Sequence, residues 1–531
     1  MKIYPAHKLL WLKLISSFSC LLLVCGSTIP PECKGGDQPP PASRWPTCED
    51  TATSQRISFV HTSDTHARYN PSPGGSSPLA RIRGFYEQVK KDNPYTLLTN
   101  AGDDYEKGSI AEELSQGLTT RQVVQAMRYD VRTLGNHDLA WGLDELLAFS
   151  RDPAAVVLAT NTKLDQVDMQ EKSGGDTKDS KVPGWVDYAE ITVGCVKIGF
   201  FGLISKPWTE NGEQYEGPYY QGHPELQTDF NHLAIAREVV AQHRQDVDLL
   251  VLVSHLGIDD DTFLAEQVEG IDLILGGHTH TTMTESLRVG DTTIIHTGSH
   301  AENLGRFDLD YSLRDREITA SHYTLTPNTE GKTPVDKATD QQISQIISPY
   351  QEAIQNNFAR LSSSQSKKEM ALIAARAAVE TTGAAAALIN PLSAWQEGKQ
   401  GGMTPQEVLT TFPVEREPAG EPGIGSLYLI KATGADLLHA RASLPDFAYW
   451  GPDAINPAAL YTIALQKPQA RSQQRYFGRE LSPAPPLPAG ELWQAVVTFG
   501  RDRNNANLSL DERAMDRDRG RDLLAALLRN R

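Results

Sequence analysis

The chain has 531 residues, of which 39% are apolar and 22% charged, with a formal net charge of −17. That length supports two or three domains, each with its own core. The acidic balance, with no Lys/Arg run to offset it, excludes nucleic acid as a bulk partner, because a phosphate backbone is repelled by it.

The N-terminus reads as an export segment over 1–25: Lys2, His7, Lys8 and Lys13 precede the apolar run 14–24, which is too short to span a bilayer as a mature helix. Cys25, after Leu22-Leu23-Val24 and before Gly26, resembles a bacterial lipoprotein processing site, and Cys20 after Ser19 is a second candidate; simple cleavage is the alternative. Either route delivers the protein outside the cytoplasm, to the periplasm or outer cell envelope, with Cys25 as the candidate membrane tether. Residues 26–54, Pro- and Gly-rich and including Pro39-Pro40-Pro41, read as an extended tether. Cys33 and Cys48 bracket its Pro-rich part and are the expected disulfide pair in an oxidising compartment. Cys195, inside the run 191–198, reads as a buried strand residue, inert rather than catalytic, with no base to activate it.

From residue 55 onward, apolar runs alternate with helical segments, the pattern of buried strands in an α/β layer. The run 56–62 leads into Asp64-Thr65-His66, and the run 95–101 into Gly102-Asp103. A third strand enters Leu134-Gly135-Asn136-His137-Asp138, 249–253 enters Ser254-His255, and 271–275 enters Gly276-Gly277-His278-Thr279-His280. Between them, 78–91 reads as a helix with Ile82, Phe85, Tyr86 and Val89 on its core face. Further strands are expected at 156–161, 198–204 and 293–296, and a mobile insertion at 166–182. His296 and His300 read as local polar contacts, and Asp104 and Glu106 as supporting acids or, more commonly for such loops, solvent-facing ones. The stretch 334–358 carries the apolar stripe of a polar helix that Pro349 should interrupt. A helix at 370–382, strands at 386–389 and 460–465, and a strand–turn–helix at 426–438 follow; alternating Asp and Arg from 511, with an amphipathic helix at 523–528, read as a solvated face.

Polar residues at strand C-termini are where open α/β sheets keep their sites. Any one of these clusters alone has an ordinary structural explanation, such as a turn or a satisfied core histidine; five strand ends with metal-type ligands do not share one. Carboxylate, amide and imidazole ligands without thiolate suit hard or borderline divalent ions. Two such ions need a ligand that reaches both, and Asp103 is the expected bridge. The pair would clamp a phosphoryl group and acidify a water for in-line attack.

In the ordered set D-x-H, G-D, G-N-H-D, S-H and G-G-H-T-H, from Asp64 to His280, the chain resembles the calcineurin-like metallophosphoesterases, in particular the two-domain bacterial 5′-nucleotidase group. The resemblance implies an N-terminal four-layer α/β/β/α metallophosphoesterase domain over 55–325. A linker helix over 326–366 and an α+β substrate-specificity domain over 367–531 would follow. It further implies Asp64, His66, Asp103 and His280 at one divalent ion and Asp103, Asn136, His255 and His278 at the other, the pair being Zn, Mn or mixed. His137 would contact the phosphate and protonate or stabilise the leaving oxygen, and the substrate would be a small phosphoester, a 5′-nucleotide first.

Two departures qualify this. The group's aspartate three residues after the catalytic histidine is Ala140 here, so either Asp138 or another acid orients the imidazole, or turnover is lower. The group's arginine after Asn390 is also missing from Pro391-Leu392-Ser393-Ala394-Trp395. Asn136, Phe412, Tyr449 and Trp450 are the candidate substrate contacts, the aromatics by stacking, although aromatics at this density more often serve a core. Alternatives are hydrolysis of a cyclic nucleotide, a sugar phosphate or a sulfur-linked group, and a weakly active metal-binding envelope protein.

Overall fold

The apolar run before Asp64 forms strand Ser54–Thr62 in the computed structural model, which describes residues 44–49, 52–164, 184–206, 225–416, 423, 425–481 and 487–512, with short strands at 209–210 and 213–214. The export segment with Cys20 and Cys25, the tether as far as residue 43 with Cys33, the insertion 166–182 and the helix expected at 523–528 lie outside the described residues.

Ser54–Thr62 lies inside a six-stranded sheet ordered Glu317–Pro327, Asn303–Ser312, Ser54–Thr62, Thr96–Asn100, Val131–Thr133, Val156–Leu158. Its last four strands are parallel, and Asn303–Ser312 runs antiparallel to the first of them. A second six-stranded sheet is ordered Leu287–Val289, Thr292–His296, Leu273–Gly276, Leu249–His255, Val196–Ile204, Tyr188–Val193, with a parallel centre. Side chains alternate between sheet faces with a period of two, and this alternation builds the layers. Ile57, Phe59 and Leu97 of the first sheet and Phe200, Val251, Val253 and Leu275 of the second share one buried cluster. Their neighbours point the other way: Val60 and Leu98 pack with helix Pro78–Asp92, while Phe201, Leu250, Leu252 and Ile274 pack under helices His232–His243 and Ile258–Gln267. The result is helix, sheet, sheet, helix, the four layers expected.

Pro349 interrupts the next segment as anticipated, into Lys337–Ile347, a 3₁₀ turn Ser348–Tyr350 and Gln351–Gln355. A five-stranded mixed sheet follows, ordered Ala448–Trp450, Ala386–Ile389, Leu460–Gln466, Ser426–Thr433, Leu487–Glu491. Helix Lys367–Thr382, which packs on this sheet, begins where Ser366 and Glu369 cap each other and ends at Gly383 in the left-handed region (φ 71°). The described residues from Trp45 onward form one compact unit. No helix among the described residues is long and apolar enough to cross a membrane.

The disulfide expectation is corrected. Cys48 bonds to Cys195, with Cα atoms 4.6 Å apart. Cys195 is not a core strand residue but half-buried in the Gly194-Cys195 turn between Tyr188–Val193 and Val196–Ile204. Trp45 is buried and donates from Nε1 to the Thr96 carbonyl at 2.9 Å, which fixes the entering chain against the sheet. Gln55 then clasps the turn, donating to Val193 O and accepting from the Cys195 N–H, both at 2.7 Å. These contacts carry Cys48 to a partner that is remote in sequence.

Candidate metal centre

The five expected strand ends open onto one pocket. Asp64, His66, Asp103, His278 and His280 all have positive φ, between 45° and 76°, as do Glu106 and Lys107. Non-glycine residues hold that conformation at a cost of order 1–3 kcal/mol each and cluster where function needs them. Gly102 (φ 88°) and Gly135 allow the closest approach: a Cβ on Gly135 would collide with the Asp103 carboxylate.

Asp64, His66 and His280 form one group of ligand atoms within 4.8 Å of one another, and Asp103, His255 and His278 form another. Asp103 Oδ2 faces both, 3.1 Å from His255 Nε2 and 4.0 Å from His66 Nε2. His66 Nε2 and His280 Nε2 approach to 3.0 Å. The second nitrogens explain which atoms are offered. His66 Nδ1 sits 3.0 Å from the Tyr105 carbonyl and His255 Nδ1 2.6 Å from the Ala101 carbonyl. A carbonyl only accepts, so each Nδ1 carries a hydrogen and each Nε2 is the atom turned to the pocket.

Burial holds His66 well below the ordinary imidazole range and His278 down to about 3, so both are neutral, as ligands must be. Burial also opposes charge on His255, but the adjacent Asp103 carboxylate lifts it to about 10, so its Nε2 holds a proton against Asp103 that a bound cation would replace. Asn136 Oδ1 is buried and meets no hydrogen-bond donor among the described residues. An orphaned amide oxygen beside converging imidazole nitrogens and a shared carboxylate fits a divalent cation pair.

His137 departs from the expected pattern. Its backbone N–H donates to Asp103 Oδ1 at 2.8 Å, and its ring is oriented by Glu106, whose Oε2 lies 2.5 Å from Nδ1. Asp138 does not orient it: the Asp138 carboxylate accepts from the backbone N–H groups of Asp103, Asp104 and Gly135, at 3.2, 2.9 and 2.8 Å, and so laces two site loops together. Glu106 and Asp104 are both buried rather than solvent-facing. Lys107 Nζ lies 3.1 Å from His137 Nε2. An ammonium can only donate, so Nε2 accepts and the Nδ1 hydrogen goes to Glu106. Burial, with Lys107 next, pushes His137 well below its ordinary value, in keeping with a neutral ring.

The remaining candidates fare differently. Phe412 is a core residue, 2% exposed at the end of helix Pro405–Thr411, and is corrected as a substrate contact. Tyr449 and Trp450 lie on edge strand Ala448–Trp450, their rings against Arg441 and Arg376. Trp395 is the aromatic beside the pocket, its ring centroid 5.6 Å from Lys107 Nζ. His296 is a local contact, 2.8 Å from Asp261. His300 Nδ1 pairs with Ser299 Oγ at 2.8 Å, and its ring centroid lies 5.4 Å from that of His66 and 5.3 Å from that of His280.

Sequence reasoning missed the segment that closes the pocket from the side of the five-stranded sheet. Glu415 Oε1 lies 3.5 Å from Lys107 Nζ and 3.6 Å from His137 Nε2. Arg416 donates its N–H to Glu106 Oε1 at 2.7 Å, forks onto Glu113 and lies 3.7 Å above the Trp141 ring. Gln406 accepts from Ile110 N–H and Asn70 and donates to Gly108 O, all within 2.8 Å. No spacing rule joins residues about 300 positions apart in the chain.

The calcineurin-like phosphoesterase family model matches residues 57–282, which contain every metal-ligand candidate and His137. The 5′-nucleotidase of Rattus norvegicus is 27% identical over 249 residues, which make up 45% of this chain and 39% of that protein. The chain therefore matches well under half the length of that curated relative. Among solved structures, a 5′-nucleotidase precursor from Thermus thermophilus superposes with a TM-score of 0.61 at 16% identity, covering 84% of this chain and 96% of that one. A sulfate thiohydrolase from the same species gives 0.58 at 16% identity, covering 88% and 95%. At such identities the likeness is one of fold.

Proposed function

We propose that this chain is a calcineurin-like phosphoesterase of the 5′-nucleotidase type and that it hydrolyses a phosphomonoester, with a 5′-nucleotide as leading substrate, at a centre of two divalent cations. The carrying observation is that one oxygen, Asp103 Oδ2, faces both ligand groups. Asp64, His66 and His280 complete one group, and Asn136, His255 and His278 the other, with Zn and Mn the ions best matched to this donor set. Such cations polarise the phosphoryl group and acidify the attacking water.

The chain's own side chains do the rest. Glu106 fixes the tautomer and direction of His137, the part an acid at position 140 would otherwise play. With a proton on Nε2 as well, His137 would donate to the phosphoryl or leaving oxygen, and Asp103 Oδ1 holds the turn on which it rides. The Cys48–Cys195 bond supports an oxidising compartment, hence export to the periplasm or outer envelope. The metal centre is assigned to a domain over 55–325, joined through 326–366 to a specificity domain over 367–531.

A second ester class has one observation in its favour: Trp395 and Glu415 stand beside Lys107 and His137, and the segment after Asn390 carries no arginine. Protein loaded with Mn²⁺ or Zn²⁺ and assayed on AMP, UMP, UDP-glucose, cyclic nucleotides and a thiosulfonate decides between them. Phosphate release fastest from the 5′-monophosphates supports the nucleotidase. Turnover of another ester alone supports the second class, and no turnover with two cations bound overturns both.

A further inference from the structure

Lys107 is an ammonium without a settled counter-ion. Its side chain is 9% exposed, it follows Glu106 through a left-handed backbone, and it reaches the Nε2 of His137. Among the described residues the one carboxylate within 4 Å is Glu415, and at 3.5 Å that contact is longer than a charge-assisted hydrogen bond. A buried cation needs an anion or several acceptors, and this one has a neutral nitrogen, a loosely engaged carboxylate and the Trp395 ring at 5.6 Å.

Glu415 is held there by its neighbour. Arg416 anchors on Glu113, Glu106 and Trp141, which leaves the Glu415 carboxylate over the gap between Lys107 Nζ and His137 Nε2. Those are the two atoms that an oxyanion entering the pocket beside His137 would meet.

We propose that Lys107 takes an anionic oxygen of the substrate's phosphoryl group beside His137, and that Glu415 is the internal carboxylate which that group displaces. The inference rests on the placing of the phosphoryl group at His137. A phosphoryl group brings up to two negative charges and three acceptor oxygens against the single charge of Glu415, so exchange favours the substrate. Lys107 thereby supplies a phosphate contact that the missing arginine leaves open, and Glu415 sets a threshold that screens out weak anions.

Calorimetric titration of the full chain with inorganic phosphate, in EDTA-treated and in Mn²⁺-loaded protein, tests this on Lys107→Met, Lys107→Arg, Glu415→Gln and the Lys107→Met/Glu415→Gln double variant. Lys107→Met should weaken phosphate binding and raise KM by about tenfold or more, with a smaller change in kcat, and Lys107→Arg should restore most of the loss. Glu415→Gln should tighten phosphate binding several-fold when Lys107 is present and leave it unchanged in the double variant. Unaltered phosphate affinity in Lys107→Met, or the same Glu415→Gln effect in both backgrounds, overturns the proposal. Phosphate binding to EDTA-treated protein requires neither cations nor turnover, so failure of the hydrolase reading on every ester would show separately.

Discussion

The strand ends that carry Asp64, Asp103, Asn136, His255 and His278 belong to two sheets packed face to face, whereas Trp395, Glu415 and Arg416 reach the same pocket from loops beside the third sheet. The first set is located by ladder register: Thr62 pairs with Asn100, and Ser254 with Gly276, so neighbouring strands end level and their next residues converge. The second is located by a guanidinium fork, a ring face and Gln406. Register is repeated along whole strands and resists single substitutions. A clasp of few contacts does not, and specificity can change there while the ligand cage stays intact.

Substitutions should separate the two regions. The largest effect is expected from Asp103→Ala, which removes the oxygen facing both ligand groups: phosphoester turnover should fall by at least about a thousandfold, and elemental analysis should show fewer than two cations per chain. Activity that survives this change would sink the two-cation assignment. Arg416→Ala leaves Glu113 without its partner in a nearly closed setting, since the arginine side chain is 12% exposed. Breaking such a pair costs about 3–5 kcal/mol, so the urea midpoint should drop while cation content is retained; a midpoint equal to wild type would mean the clasp does not hold.

Glu106→Gln tests whether an acid remote from position 140 orients the imidazole. An amide in its place should lower kcat by about 10–100-fold with cations still bound, the range seen when a supporting partner is lost. The smallest effect concerns Glu112, whose carboxyl is pushed up to about 7, first by burial and then by Glu113. A folded-state pKa above the ordinary 4.5 means the folded protein binds more protons than the unfolded chain between those values. Stability should therefore be greatest below pH 4.5 as far as this group is concerned, and decline by about 1 kcal/mol per pH unit up to pH 7. Glu112→Gln should flatten that slope in chemical-unfolding curves taken across the window, and an unchanged slope would assign it to other groups.

The same division explains what was legible in the sequence. Strand ends are written locally, as an apolar run followed by a glycine and a polar residue, so the four-layer architecture and the strand ends that converge on the pocket could be read directly. The orienting acid could not. With Ala140 in place, Asp138 was the nearest carboxylate in the chain, but the short 3₁₀ turn Asn136–Leu139 aims it at backbone N–H groups while Glu106 arrives from another loop. Phe412 misled for a related reason: an aromatic near a loop looks available until the fold turns it into the core. Cys195 was misassigned because an apolar run of eight residues hides a two-residue turn at Gly194-Cys195, and the turn, not the run, meets Cys48.

That cross-link has a topological consequence. It joins positions 147 residues apart, and the ring so closed contains Asp64, His66, Asp103 and Asn136 but leaves His255, His278 and His280 outside. An oxidised chain that loses its fold would thus keep four of the seven proposed ligands corralled in one covalent loop. The conformational search on refolding is shortened for that half of the cage, and only the three remaining histidines must be brought back from an unrestrained strand of polymer.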